Sequence, residues 1–174
     1  MMIDTSRLLL RPPNIEDWTG YFALWNQAPP APKLAPSARA LDEEQAWARL
    51  LRFIGHWRCF DYGPFVAIDR VSNSIIGDVG FALTRRSPGR AFDNAPEGMW
   101  RIDQSHQGQG FAKEAMQAAT AWMDLKKISP RTVCMIDVGN IASQHVAASL
   151  NFRESARAVH KGNSVVLFER MTSF

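Results

Sequence analysis

The chain has 174 residues, of which 46% are hydrophobic and 21% charged, with a formal net charge of +3 and a pI near 9.1. This is ordinary globular composition and enough chain for one domain, 1–174, with a substantial core. The positive charge is mild and scattered, which argues against nucleic acid and suits a small polyanionic ligand.

Arg7 to Arg11 reads as a first strand, stopped by Pro12-Pro13. Asn14 is placed to cap a helix with Asp17 in its first turn, and Trp18, Tyr21, Phe22 and Trp25 follow at helical spacing. Residues 28 to 40 hold four prolines and read as a loop. Asp42 with Gln45 has the form of a capping box, and Trp47, Leu50, Leu51, Ile54 and Trp57 mark one face of a second helix. Residues 65–68 and 75–83 read as an antiparallel hairpin turning over 71–74. A loop rich in Arg, Pro, Gly and Asn spans 85 to 96, followed by a fourth strand, 99–102. Then come a helix over 111–125, with Phe111, Ala115, Ala118, Ala119 and Trp122 on one face, and a strand over 132–138. A short helix, 142–150, leads to a final hairpin, 156–160 with 165–171, turning at Lys161-Gly162-Asn163. The order β-α-α-β-β-β-α-β-α-β-β predicts an α/β fold with a mixed, mostly antiparallel sheet, helices on both faces and a central βαβ unit.

Cys59 and Cys134 stand far apart, and His56, His106, His145 and His160 show no metal-ligand spacing, so no disulfide framework and no metal site is expected. Cys134, between Val133 and Met135, reads as a core thiol. No apolar run approaches the ~18 residues of a membrane span, and the N-terminus has no signal-peptide pattern. The expectation is a cytoplasmic protein with no membrane partner; a homodimer is left open.

The segment with the most chemical content is Gln107-Gly108-Gln109-Gly110-Phe111-Ala112-Lys113, between the fourth strand and the 111–125 helix. Two glycines at such a turn let backbone approach a ligand without a Cβ in the way. The helix that follows offers unpaired N–H groups and the positive end of its dipole, a seat for phosphate. It is not a Walker loop, because Gly110 is followed by Phe-Ala-Lys rather than Lys-Ser/Thr. It lacks the third small residue of a dinucleotide fingerprint, where Lys113 stands, and the acidic residue some 20 positions later.

What remains, Gln-x-x-Gly-x-Ala, resembles the acyl-CoA pyrophosphate loop of the GNAT acetyltransferase superfamily. A second motif agrees. Asn140-Ile141-Ala142-Ser143 resembles the Asn-x-x-Ser of the family, and Leu150-Asn151-Phe152 stands where its Lys-x-Gly-Phe would be. The element order is also that of the GNAT fold, over about residues 4 to 171. The opening Thr5-Ser6-Arg7-Leu8-Leu9-Leu10-Arg11-Pro12, with Glu97-Gly98-Met99-Trp100, resembles the ribosomal-protein N-terminal alanine acetyltransferase group.

The resemblance implies an N-acetyltransferase moving acetyl from acetyl-CoA to a primary amine, a protein N-terminus or a small molecule, by direct attack in a ternary complex. It implies that residues 107–113 bind the pyrophosphate and that Asn140, supported by Ser143, contacts pantetheine or the acceptor edge. Backbone N–H groups of Trp100, Arg101 and Ile102 would stabilise the oxyanion. Arg85, Arg86, Arg90 and Lys113 would attract the polyanion. Glu97 is the expected base. The tyrosine that many members use as acid is missing, since Tyr21 and Tyr62 lie elsewhere, and Ser149 is the residue in that region. The alternative is an acyl-CoA-binding or regulatory module of the same fold without turnover.

Overall fold

The structure is a computed structural model that describes residues 1–27, 40–86, 92 and 94–173. Its strands are β1 (Ile3–Asp4), β2 (Leu8–Arg11), β3 (Pro64–Asp69), β4 (Ile75–Ala82), β5 (Glu97–Ile102), β6 (Arg131–Asp137), β7 (Arg153–His160) and β8 (Asn163–Met171). Its helices are α1 (Trp18–Trp25), α2 (Glu43–Phe60), α3 (Phe111–Leu125) and α4 (Ile141–Ser149). The strands form one sheet in the order β1-β2-β3-β4-β5-β6-β8-β7. Every neighbouring pair is antiparallel except β5–β6, which α3 connects as a parallel βαβ unit. The mixed, mostly antiparallel sheet matches the expectation. β1 was not foreseen, because two residues are too few to show an alternating pattern.

Strand alternation sorts the core to two faces. Phe65 and Ala67 of β3 join Phe111, Ala115, Met116 and Ala119 of α3 on one side. Val66 and Ile68 join Tyr21 and Trp25 of α1 and Leu50 and Phe53 of α2 on the other. α2 begins at the expected capping box, with the Gln45 N–H donating to Asp42 Oδ1 at 2.8 Å. Its buried stripe is Ala46, Leu50, Phe53 and Trp57, whereas Trp47 and Leu51 are exposed. The sequence pattern put those two on the inner face because any apolar residue was counted, but the 3.6-residue period favours 46-50-53-57. In α3, likewise, the deeply buried residues include Met116 and Met123, while Trp122 packs at the margin. The final hairpin turns on Lys161 and Gly162 alone, both at positive φ, and Asn163 already pairs with His160. Asn151 adopts φ +65 and ends α4 as the glycine it replaces would.

One irregularity of the sheet makes the site. β6 pairs with β8 over its whole length, but with β5 only at Glu97–Val133, where the Val133 N–H donates to Pro96 O at 3.0 Å. Beyond that point β5 and β6 diverge and leave the β5 edge open.

Candidate active site

A cavity of about 690 Å³ lies in the gap where β5 and β6 separate. Its lining runs from Trp100, Arg101 and Ile102 through Gln107, Gly108, Gly110, Phe111, Ala112 and Lys113 to Asn140 and Ser143. Leu24 and Gln27 close it from the α1 side, and Gln104, His106, Ala142, His145 and Val146 complete the wall.

The floor is the glycine turn. Gly108 and Gly110 have φ of +73° and +83°, values at which a side chain costs roughly 1–2 kcal/mol. A Cβ on Gly108 would meet nothing within 4 Å, so the glycine is required there by conformation and not by crowding. The first bond that closes α3 runs from the Glu114 N–H to Gly110 O, 3.0 Å, so the amides ahead of it stand outside the helix ladder. Gln107 Nε2 donates to Ile102 O at 2.9 Å and pins the turn to the end of β5. Asp103 caps the turn before it, accepting from the Ser105 N–H at 2.8 Å. Burial works against the Asp103 charge, but bonds from Ser105, Gln27 and His106 outweigh it and hold the carboxyl down at about 2.

The turn is held from outside by the N-terminal segment. Thr5 Oγ1, Ser6 Oγ and the Arg7 N–H all donate to Glu114 Oε1, at 2.6, 2.9 and 2.9 Å. Arg7 Nε pairs with Glu114 Oε2 at 2.6 Å, its Nη1 donates to Gln109 O at 2.9 Å, and its guanidinium lies 4.1 Å over the Phe111 ring. Burial again opposes the charge, and the bonds from Thr5, Arg7 and Ser6 outweigh it, holding Glu114 at about 2. Residues 5–7 are thereby bonded to residues 109–114, a link that no spacing in the sequence announces.

The open edge of β5 supplies donors. In the antiparallel β4–β5 ladder the Asp103 N–H bonds to Ile76 O at 2.7 Å. N–H groups alternate between strand edges, so Arg101 also points its N–H at β4, while Trp100 and Ile102 point theirs into the gap. Of the three expected backbone donors, Arg101 is therefore spent on the sheet. Trp100 also spans the gap by its side chain, with Nε1 donating to Ser143 Oγ at 3.1 Å. Asn140 caps α4, accepting from the Ser143 N–H at 3.1 Å, and lines the cavity as well.

The two expected catalytic side chains are not among the lining residues. Glu97 is not a surface residue; it is 1% exposed. Its carboxylate takes both arms of Arg86, Nε at 3.0 Å and Nη2 in a shorter contact, together with the Thr84 hydroxyl. Both carboxylate oxygens are thereby engaged within the protein. Ser149 is exposed, and its hydroxyl donates to Val146 O of its own helix at 2.8 Å. Of the four expected cations, Lys113 lines the cavity; Arg85 and Arg86 do not, and Arg90 lies outside the described residues. Cys134 is buried, which pushes its thiol up, as expected of a core residue. Among the described residues no group of three or more His, Cys, Asp or Glu is arranged to hold a metal ion, and no helix is long and apolar enough to cross a membrane.

The model of the acetyltransferase (GNAT) domain matches residues 7–153. The chain belongs to the GNAT acetyltransferase family. A GnaT-family acetyltransferase from Bordetella pertussis is 35% identical with a TM-score of 0.88, covering 98% of this chain and 99% of that one. Below 25% identity, two neighbours share the fold. Ribosomal-protein-S5-alanine acetyltransferase from Vibrio fischeri is 21% identical (TM-score 0.77, 99% and 97% covered). RimL, a ribosomal L7/L12 α-N-protein acetyltransferase solved with coenzyme A, is 19% identical (TM-score 0.76, 99% and 98% covered). Among curated proteins none matches. Members of this GNAT family transfer acetyl groups from acetyl-CoA. The GNAT chain described here fits that donor at one point in particular: a turn with two positive-φ glycines, ahead of a helix whose leading amides are outside its ladder.

Proposed function

We propose that the protein is an acetyl-CoA-dependent N-acetyltransferase acting on a primary amine in the gap between β5 and β6. The observation that carries this reading is the coincidence of the two motifs on one cavity, with the glycine turn at one end and Asn140 with Ser143 facing it.

Backbone amides of 108–113 would hold the pyrophosphate, with Lys113 adding charge. Holding both reactants together supplies much of the rate; ideal intramolecular cases reach roughly 7–11 kcal/mol. The amine nitrogen forms the new C–N bond, the C–S bond breaks, the ammonium proton passes to water and the thiolate takes one up. An α-amine titrates near ~8, so part of it is already reactive at neutral pH. The N–H groups of Trp100 and Ile102 would bond to the oxyanion. His145, on α4 beside the motif, is the imidazole assigned to protonate the departing thiolate. Glu97 is assigned a positioning role, through Arg86, in place of direct proton transfer.

A specific observation favours the second reading, a module that binds acyl-CoA without turnover: neither Glu97 nor Ser149 reaches the cavity. An amine panel with acetyl-CoA, read by release of free thiol, separates the two. Thiol release that depends on the added amine supports the enzyme. Binding of acetyl-CoA with no release for any amine supports the module.

A further inference from the structure

On the α1/α2 side of the sheet, arginines converge. Arg49 and Arg52 stand one turn apart on α2, and their guanidinium carbons lie 5.4 and 5.7 Å from the same Phe53 ring. Arg49 also lies 5.1 Å over Trp25. Arg101 sits directly across the β4–β5 ladder from Asp78, which is 1% exposed. Arg86 leaves the end of β4 and pairs with Glu97, on the same face of β5 as Met99 and Arg101.

The carboxylates within this group are already engaged. Glu97 is taken by Arg86 and Thr84. Asp78 accepts the Trp25 indole N–H at 2.6 Å and meets Arg49 only at 4.0 Å. Nearby, Asp17 is taken by a bidentate pair with Arg11. Arg49 Nε is buried and has no hydrogen-bond partner, and among the described residues Arg52 makes no ion pair and, of the carboxylates, feels only the field of Asp78. The arginines also disturb one another. Burial, then the field of Arg49 and Arg52, pulls Arg86 down to about 10, and burial followed by Arg49 lowers Arg52. A folded chain does not gather like charges under a helix without cost.

The cleft reaches this group. Arg101, Leu24 and Gln27 line the cavity that holds the glycine turn. The arginines of α2 nevertheless lie across the sheet from α3, so they are not the seat of the pyrophosphate. Arg49, Arg86 and Arg101 are half-buried and Arg52 is exposed. We propose that the acceptor end of the cleft continues past Arg101, which lines it, to a wall formed by Arg49 and Arg52, and that the acceptor is a small amine carrying an anionic group of its own. This rests on the acetyltransferase reading and narrows its substrate to acidic amines.

The test uses the full chain with acetyl-CoA and matched amines: aspartate against asparagine, glutamate against glutamine, phosphoethanolamine against ethanolamine. The acidic member of at least one pair should show kcat/KM about 10-fold or more above its neutral partner, from charge-assisted bonds. The first two pairs identify carboxylate recognition and the third phosphate recognition. Arg49→Gln with Arg52→Gln should erase that preference through KM, leaving acetyl-CoA affinity unchanged. Arg52→Lys, which keeps the charge, should retain part of it. Binding of the same amines to protein saturated with desulfo-CoA, followed by calorimetry, separates the two claims. Acidic amines that bind but are never acetylated support the wall and defeat the transferase. Neutral amines that are acetylated while acidic ones neither bind nor react defeat the wall alone. If the double variant instead weakens acetyl-CoA, the arginines serve the donor and the proposal is wrong.

Discussion

The two sides of the cleft are built on different principles. The α3 side is made by one short segment acting through its backbone, positive-φ glycines and the leading amides of a helix, with Arg7 and Glu114 bracing it. The α2 side reaches the cleft only at Arg101, and behind it Arg49, Arg52 and Arg86, side chains from helix and strand end, meet only because the sheet and helices bring them together. The first side is suited to a constant ligand, since backbone amides recognise any phosphate. The second can change by single substitutions without disturbing the first.

Four substitutions, alongside those at Arg49 and Arg52, test how separate the two sides are. The largest effect is expected for Gly110→Asp, which puts bulk and negative charge at φ +83. Strain of roughly 1–2 kcal/mol should lower the melting temperature of the free protein by a few degrees. Acetyl-CoA at 100 times its dissociation constant should stabilise the wild type by about 2.7 kcal/mol, and the variant not at all. A full ligand-induced shift in the variant would remove the glycine turn from the donor site.

Glu97→Gln sharpens the comparison from the other side. As a positioning residue, its loss frees Arg86 and should raise acceptor KM about 10-fold, with kcat and its pH profile largely kept. A base would behave differently: kcat would fall about 10²-fold or more at neutral pH, and the deficit would shrink as pH rises. Steady-state rates across pH 6 to 9 distinguish the two.

The brace predicts a pH effect. Glu114 and Asp103 are both held at about 2, below ordinary values of 4.5 and 3.8. Depressed carboxyls add stability above their ordinary values and lose it as pH falls towards the folded-state value. Melting temperature should therefore drop between about pH 4.5 and 2, and Glu114→Gln should flatten part of that drop. A wild-type profile that stays level across this window contradicts the brace. The smallest effect belongs to His145→Asn, since a thiol with a pKa near ~8.5 leaves tolerably unaided. A loss in kcat below about 10-fold is expected with acetyl-CoA affinity kept; weaker acetyl-CoA binding would assign His145 to binding instead.

The same contrast explains what the sequence disclosed. The 111–125 helix, the glycine turn and the Asn140 cap are local, and a local pattern is carried by neighbouring residues. The Trp47 and Leu51 error shows the limit even there, because apolar type alone does not fix which face is inward. Type and position point to Glu97 as the base, but its partners, Arg86 and Thr84, come from the segment just after β4 and decide how its carboxylate is used. The bond from Arg7 to Gln109 and the convergence on Asp78 join segments about a hundred and about fifty residues apart, and no spacing rule reports such contacts. Ser149 was chosen for its region, and a one-turn bond to Val146 removes it.

The central claim, acetyl transfer to an amine in the β5–β6 gap, is tested most directly by mass spectrometry of an amine panel incubated with acetyl-CoA and either wild-type protein or Gly110→Asp. The wild type should form an N-acetyl amide, strongly reduced with the variant, and no acetyl group should appear on Cys59 or Cys134 during turnover. Equal product with both proteins, or acetyl-CoA binding with no amide from any amine, would contradict it.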